Sequence, residues 1–185
     1  MTKRTLILLL FFVVAVASRF IILAGPSWAN FSPIGALALF AGYYVTDKKA
    51  AVLFTLLALW ISNLILNNLF YAAYFQGFSW GITASQFGLF AAISLLGAWF
   101  STFKANIFNV TLISTLTSIG FFIISNLLVW AYSTEVVYTK DFAGLSACYI
   151  SAIPFYPNSL ASQLLFGAVF FGGFEWFKQR DNSLA

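Results

Sequence analysis

Six long apolar stretches divide the chain, separated by short segments that carry its charges, glycines and prolines. They cover residues 5–24, 33–46, 50–74, 84–103, 107–132 and 158–177, most of them close to the ~20 residues a helix needs to cross a bilayer core of ~30 Å. The pattern predicts an all-α integral membrane protein, a six-transmembrane-helix bundle. A further apolar segment at 142–153, ending at Pro154, predicts a short interfacial or re-entrant helix before the last span. Gly25 and Pro26 stop the first span, and Ser32 followed by Pro33 reads as an N-cap with proline at the first helical position. The second span is short, ~21 Å for ~14 residues. It repeats Gly35, Ala38 and Gly42 at helical spacing, which predicts a helix buried against close neighbours.

Charge orients the bundle. Lys3, Arg4, Lys48, Lys49, Lys104, Lys178 and Arg180 are seven cations that fall on one side if every apolar stretch crosses. The opposite side receives the uncharged residues 25–33 and 77–83 and a loop with Glu135, Lys140 and Asp141. This is the positive-inside pattern, with both termini cytoplasmic and the bacterial cytoplasmic (inner) membrane as the expected location. Trp28 and Trp80 suit the outer headgroup zone. The first span also fits a cleavable leader, but apolar character resumes at residues 20–24 and favours an uncleaved helix.

Composition narrows the function classes. With 62% hydrophobic and 8% charged residues, against roughly 25% charged in soluble domains, residues 1–185 read as a single transmembrane domain with no room for a soluble one. Only the last few residues read as disordered. The net charge of +4 serves orientation and anionic lipids, and gives no argument for nucleic acid. The absence of histidine removes His-ligated metal sites and Ser-His or Cys-His nucleophiles. The lone Cys148 has no internal disulfide partner and reads as structural. No phosphate-binding Gly-rich loop occurs, no cofactor is implied, and the carboxylates form no convincing acid/base pair for an enzyme.

Polar side chains are costly in hydrocarbon, so their depth is informative. Arg19, Asn63 with Asn67 one turn on, Ser125 with Asn126, and Asn158, Ser162 and Gln163 all fall in the outer halves of their spans, and Asn30 lies just outside. Taken singly, Arg19 can snorkel to headgroups or pair with Glu135 or Asp141, and each asparagine can serve as interhelical glue. Taken together they describe an outward cavity closed below by apolar packing, suited to a small ligand with an acidic or strongly polar group. The candidate binding residues are Arg19, Asn30, Asn63, Asn67, Asn126, Asn158 and Ser162, with Asn63 and Asn67 expected to face Asn126.

The stretch at 30–40, Asn-Phe-Ser-Pro-Ile-Gly-Ala-Leu-Ala-Leu-Phe, with Arg19 upstream, resembles the signature of an uncharacterised family of small bacterial integral membrane proteins. Ser125-Asn126 with Trp130, Gly144-Leu145, Cys148-Tyr149 and Ala152-Ile153-Pro154-Phe155 extend the likeness over most of the chain. More distantly, the family is similar to the substrate-binding S components of energy-coupling factor transporters. That resemblance implies six helices, cytoplasmic termini and an outward site capped by the first external loop. It also implies an acidic residue where this chain has Asn63, and Gly-Asp where it has Ala161-Ser162. The expected function is substrate capture for uptake of a small polar micronutrient, with lipids and separate coupling and ATPase subunits as partners. The alternative is a non-transporting scaffold or accessory subunit of a larger membrane complex.

Overall fold

A helix rich in small apolar residues can be packed against on every side, and the centre of this fold is such a helix. The computed structural model describes residues 2–181; the expectation for the last few residues lies outside them, apart from Asp181. Eight α-helices, joined in places by 3₁₀ and π turns, account for the fold: α1 Lys3–Ser18, α2 Ile34–Tyr44, α3 Lys48–Ile65, α4 Ala84–Phe100, α5 Ile107–Tyr132, α6 Phe142–Ala152, α7 Tyr156–Gly167 and α8 Gly173–Arg180. No strand occurs among the described residues.

Four helical stretches are long and apolar enough to cross a membrane: Lys3–Ala24, Lys48–Phe70, Ile107–Tyr132 and Phe142–Arg180. The expected spans over 33–46 and 84–103 appear as the shorter helices α2 and α4. Helix α2 has 11 residues, or ~16 Å, about half a hydrocarbon core, so helix length by itself does not carry a count of six crossings. The predicted start of α2 also moves. Pro33, not Ser32, occupies the N-cap, and the Ser32 hydroxyl accepts from Ile34 N–H at 3.5 Å.

Every residue of α2 is buried except Tyr43. Its close neighbour is α4, and glycine makes the approach possible. A Cβ added at Gly42 would lie 1.9 Å from the Ser94 carbonyl oxygen, and one at Gly97 would lie 2.2 Å from that of Leu39. The two backbones touch reciprocally, which no larger residue permits. Ser94 adds polar stitching, donating to Ala38 O at 3.3 Å and pairing with Thr55 of α3 at 3.0 Å.

At the C-terminal end of α2 two of the seven cations, Arg4 and Lys48, bond its last carbonyls. Lys3 pairs with Asp181 at 2.5 Å, so the two described ends of the chain meet. Arg4 donates to the Tyr44 carbonyl, and Lys48 caps the α2 C-terminus through Gly42 O (2.9 Å) and Val45 O (3.0 Å). Glu175, close in sequence to Lys178 and Arg180, accepts from the Tyr44 hydroxyl at 2.6 Å. Above this layer Phe11, Phe40, Phe170, Phe171 and Phe174 form one aromatic cluster, with Phe40 within 5.9 Å of each of the other four rings. That cluster seals the cation-bearing end.

The seam yields a direct test. Gly42→Leu or Gly97→Leu should destabilise the fold by about 3 kcal/mol, the upper end for overpacking. Gly88→Ala and Gly120→Ala, where a Cβ meets nothing within 4 Å, should be neutral or stabilising by up to about 1 kcal/mol. Thermal unfolding in detergent reads all four; equal losses would show that the α2–α4 contact is not tight.

Candidate functional site

Helix α3 does not end cleanly: its last turn widens into a π segment, Leu66–Phe70. This turns Asn67 and Asn68 onto the 77–83 loop. Asn67 donates to the Ser79 hydroxyl at 3.0 Å, and Asn68 both donates to Ser79 O (2.7 Å) and accepts from Ser79 N–H (2.8 Å). One turn below, Asn63 donates to Gly81 O at 2.9 Å, and Trp60 Nε1 donates to Trp80 O at 2.9 Å. Gly81 has φ 65° and lies against Asn63, where a Cβ would sit 2.9 Å from the asparagine Cβ. The α3 amides therefore fasten a loop and do not meet Asn126, whose own Nδ2 donates back to Phe122 O at 2.7 Å.

A second clasp holds the 25–33 segment. From the first turns of α7, Asn158 donates to Ser27 O (2.7 Å) and Ala29 O (2.9 Å), and Ser162 donates to Ser32 O at 3.1 Å. Asn30, in the left-handed region at φ 64°, makes the bend under this clasp. On the other side α6 lies on the outer half of α5 as the predicted short helix. Tyr149 donates to Ile123 O at 2.7 Å and the buried Cys148 thiol points to Asn126 O at 3.5 Å. Trp130 donates to Thr139 O at 2.9 Å and Lys140 to the Trp130 carbonyl, so these residues close the 133–141 loop.

Between the clasps a cavity of about 1070 Å³ opens at the end of the bundle opposite the cations. Its walls are the outer halves of α4, α5 and α7, with the 30–35 segment and Arg19 behind. Of the seven candidate residues, Arg19, Asn30, Asn126 and Ser162 line it, while Asn63, Asn67 and Asn158 stand outside in the two clasps. Much of the wall is apolar, including Phe90, Phe121 and Phe122.

Arg19 sits where α1 tightens into the 3₁₀ turn Arg19–Ala24, which swings the side chain inward. Its Nη1 donates to Ser62 Oγ (2.5 Å), Asn63 Oδ1 (2.7 Å) and Leu59 O (3.3 Å). The other guanidinium nitrogens have no protein acceptor among the described residues. The expected pairing with Asp141 is not present. That carboxylate caps α6, accepting from Gly144 N–H at 2.8 Å and the Thr139 hydroxyl at 2.7 Å, bonds that hold it below the usual carboxylate range. Among the described residues Arg19 is the one charged side chain lining the cavity.

Three further groups lie at the cavity: Gln163, named above for its depth but not as a candidate, and Thr117 and Ser118, which depth along the spans does not mark. Thr117 Oγ1, Ser118 Oγ and Gln163 Nε2 are buried, line the cavity and have no hydrogen-bond partner among the described residues. Gln163 lies over Gly35, where a Cβ would come within 2.5 Å of its Oε1, so the glycine makes room for the amide. The available signal was the polar stripe Ser114, Thr117, Ser118 at i, i+3 and i+4 on α5. Asn68 was missed as well. Replacing it by alanine should remove three bonds (one of them to Leu64 O) and cost about 1–3 kcal/mol locally. Hydrogen exchange should then accelerate at residues 77–83 and nowhere in α2; unchanged exchange there would refute the clasp.

Comparison with curated proteins and with solved structures gives no match. One family model covers residues 1–184, described as a family of unknown function, DUF6580. An all-helical membrane-type chain matched over nearly its whole length in this way belongs to that family.

Proposed function

We propose that this protein is a six-span subunit of the bacterial cytoplasmic membrane that captures a small polar solute from outside, in the manner of the S components of energy-coupling factor transporters, and hands it to separate coupling and ATPase subunits. The observation that carries this reading is the cavity. It opens at the end away from the cations, and its lining sets one cation, Arg19, and the polar side chains Gln86, Asn126 and Ser162 among apolar residues.

The rest of the arrangement supports the same reading. The meeting of Lys3 with Asp181 fits an even number of crossings, as six is. The reading counts the short helices α2 and α4 as crossings extended by the segments at 25–33 and 77–83, most of whose residues are exposed. The aromatic cluster around Phe40 closes the route to the cation-bearing side, so release inward requires rearrangement and hence a partner.

Two measurements test this. Cysteines placed at Phe78 and Val136, both exposed, should react with an impermeant thiol reagent on intact cells, and one at Lys49 should not; the reverse pattern would invert the orientation. Protein purified in mild detergent should carry a small molecule near one per chain, detected by mass spectrometry after denaturation. Ser118→Trp, which fills the cavity, should lose it. A stable complex with other membrane subunits, no bound small molecule and full assembly by Ser118→Trp would favour the scaffold reading instead.

A further inference from the structure

We infer that residues 81–86, the end of the 77–83 loop and the first turn of α4, are a gate in the cavity wall, and that Arg19 latches it shut through Asn63. Such a gate acts on the wall and is independent of what the cavity holds.

The latch begins at the cation. Arg19 Nη1 donates to Asn63 Oδ1 at 2.7 Å, and Asn63 Nδ2 donates onward to Gly81 O at 2.9 Å and to Gln86 Oε1 at 3.5 Å. A guanidinium has donors and no acceptor, so it admits only the oxygen side of the amide and leaves the NH2 side for Gly81. Among the described residues the hydrogen bonds from α3 to 81–86 all come from this one amide. A cation that lines the cavity thus holds one of the cavity's walls, because Thr83, Ala84, Ser85 and Gln86 line it too.

The packing of this wall changes sharply along α4. Ile82, Thr83, Ala84 and Gln86 are exposed, whereas further along α4 Phe90, Ile93, Ser94 and Gly97 are buried. Thr83 stands at the N-cap of α4, yet its side chain makes no capping bond. The first-turn N–H groups therefore lack the side-chain acceptor that stabilises a helix start. Gly81, at φ 65°, turns the backbone hard against Asn63. Ser79 is a separate anchor, held by Asn67 and Asn68. The gate is the stretch between two fixed points, Ser79 before it and Phe90 after it.

Hydrogen exchange of the full chain in detergent tests the latch. Asn63→Asp keeps an acceptor for Arg19, now as an ion pair that favours the fold, but has no donor for Gly81 O. Exchange at 82–88 should rise about tenfold, as expected for the loss of one hydrogen bond, with 93–100 unchanged. Arg19→Met should raise exchange over the same residues about threefold, a weaker effect because it acts at one remove. Added to Asn63→Ala, it should bring no further rise at 82–88, since its influence there passes through the amide. Ser125→Cys with Cys148→Ala places a single thiol on the cavity wall. A soluble methanethiosulfonate reagent should modify that thiol about threefold faster once Asn63→Asp is added, following the larger open population.

Unchanged exchange at 82–88 in Asn63→Asp would overturn the gate, and so would equal labelling of the cavity thiol with and without that substitution. Additive effects of Arg19→Met and Asn63→Ala on 82–88 would overturn the role of Arg19 as its latch.

Discussion

The close contact between α2 and α4 is the constraint from which the rest of the architecture follows. Gly42 and Gly97 let the two backbones meet with no room for a Cβ on either side, and this draws α2 into the middle of the bundle. Helix α2 reaches only about half the depth of a hydrocarbon core. Below it, aromatic rings and cations close the cation-bearing end. Above it nothing helical fills the axis, and the cavity occupies that space. A longer α2 would have filled the site.

Polar groups in the upper half divide by whether their bonds are complete. Asn63, Asn67, Asn68 and Asn158 are bonded to loop backbone or loop side chains, and their work is to hold the 25–33 and 77–83 segments. Arg19 is only partly satisfied, and Thr117, Ser118 and Gln163 have unpaired buried atoms. Fastening the loops and leaving the central groups open are complementary.

Much of the frame was legible because hydrocarbon enforces a simple code. The break at Gly25-Pro26 falls where the 3₁₀ turn that follows α1 ends, Pro154 lies just past the end of α6, the 107–132 helix has its expected limits, and the small face of α2 packs as its spacing indicates. The site was legible only in part. Arg19, Asn126 and Ser162, chosen for their depth along a span, line the cavity, but depth says nothing of direction around a helix, and so Asn63 and Asn67 were expected opposite Asn126. Thr117 and Ser118 were passed over for another reason. A hydroxyl in a helix ordinarily bonds the carbonyl one turn back, as Ser18 does to Val14 at 2.7 Å. Sequence gives no sign of which hydroxyls do not, and only packing reveals the atoms left without a partner. Helix length misled in the opposite direction, since α2 is too short to be counted as a crossing without its flanking segment.

The central claim is that the cavity exists to hold a solute against Arg19. The measurement that meets it most directly is a structure of the protein taken from its native membrane with whatever it carries. The account predicts compact non-protein density in contact with the Arg19 guanidinium and reaching the Thr117–Ser118 face of α5. Arg19 turned outward to the headgroups, with a lipid tail or ordered water alone filling the cavity, would contradict it.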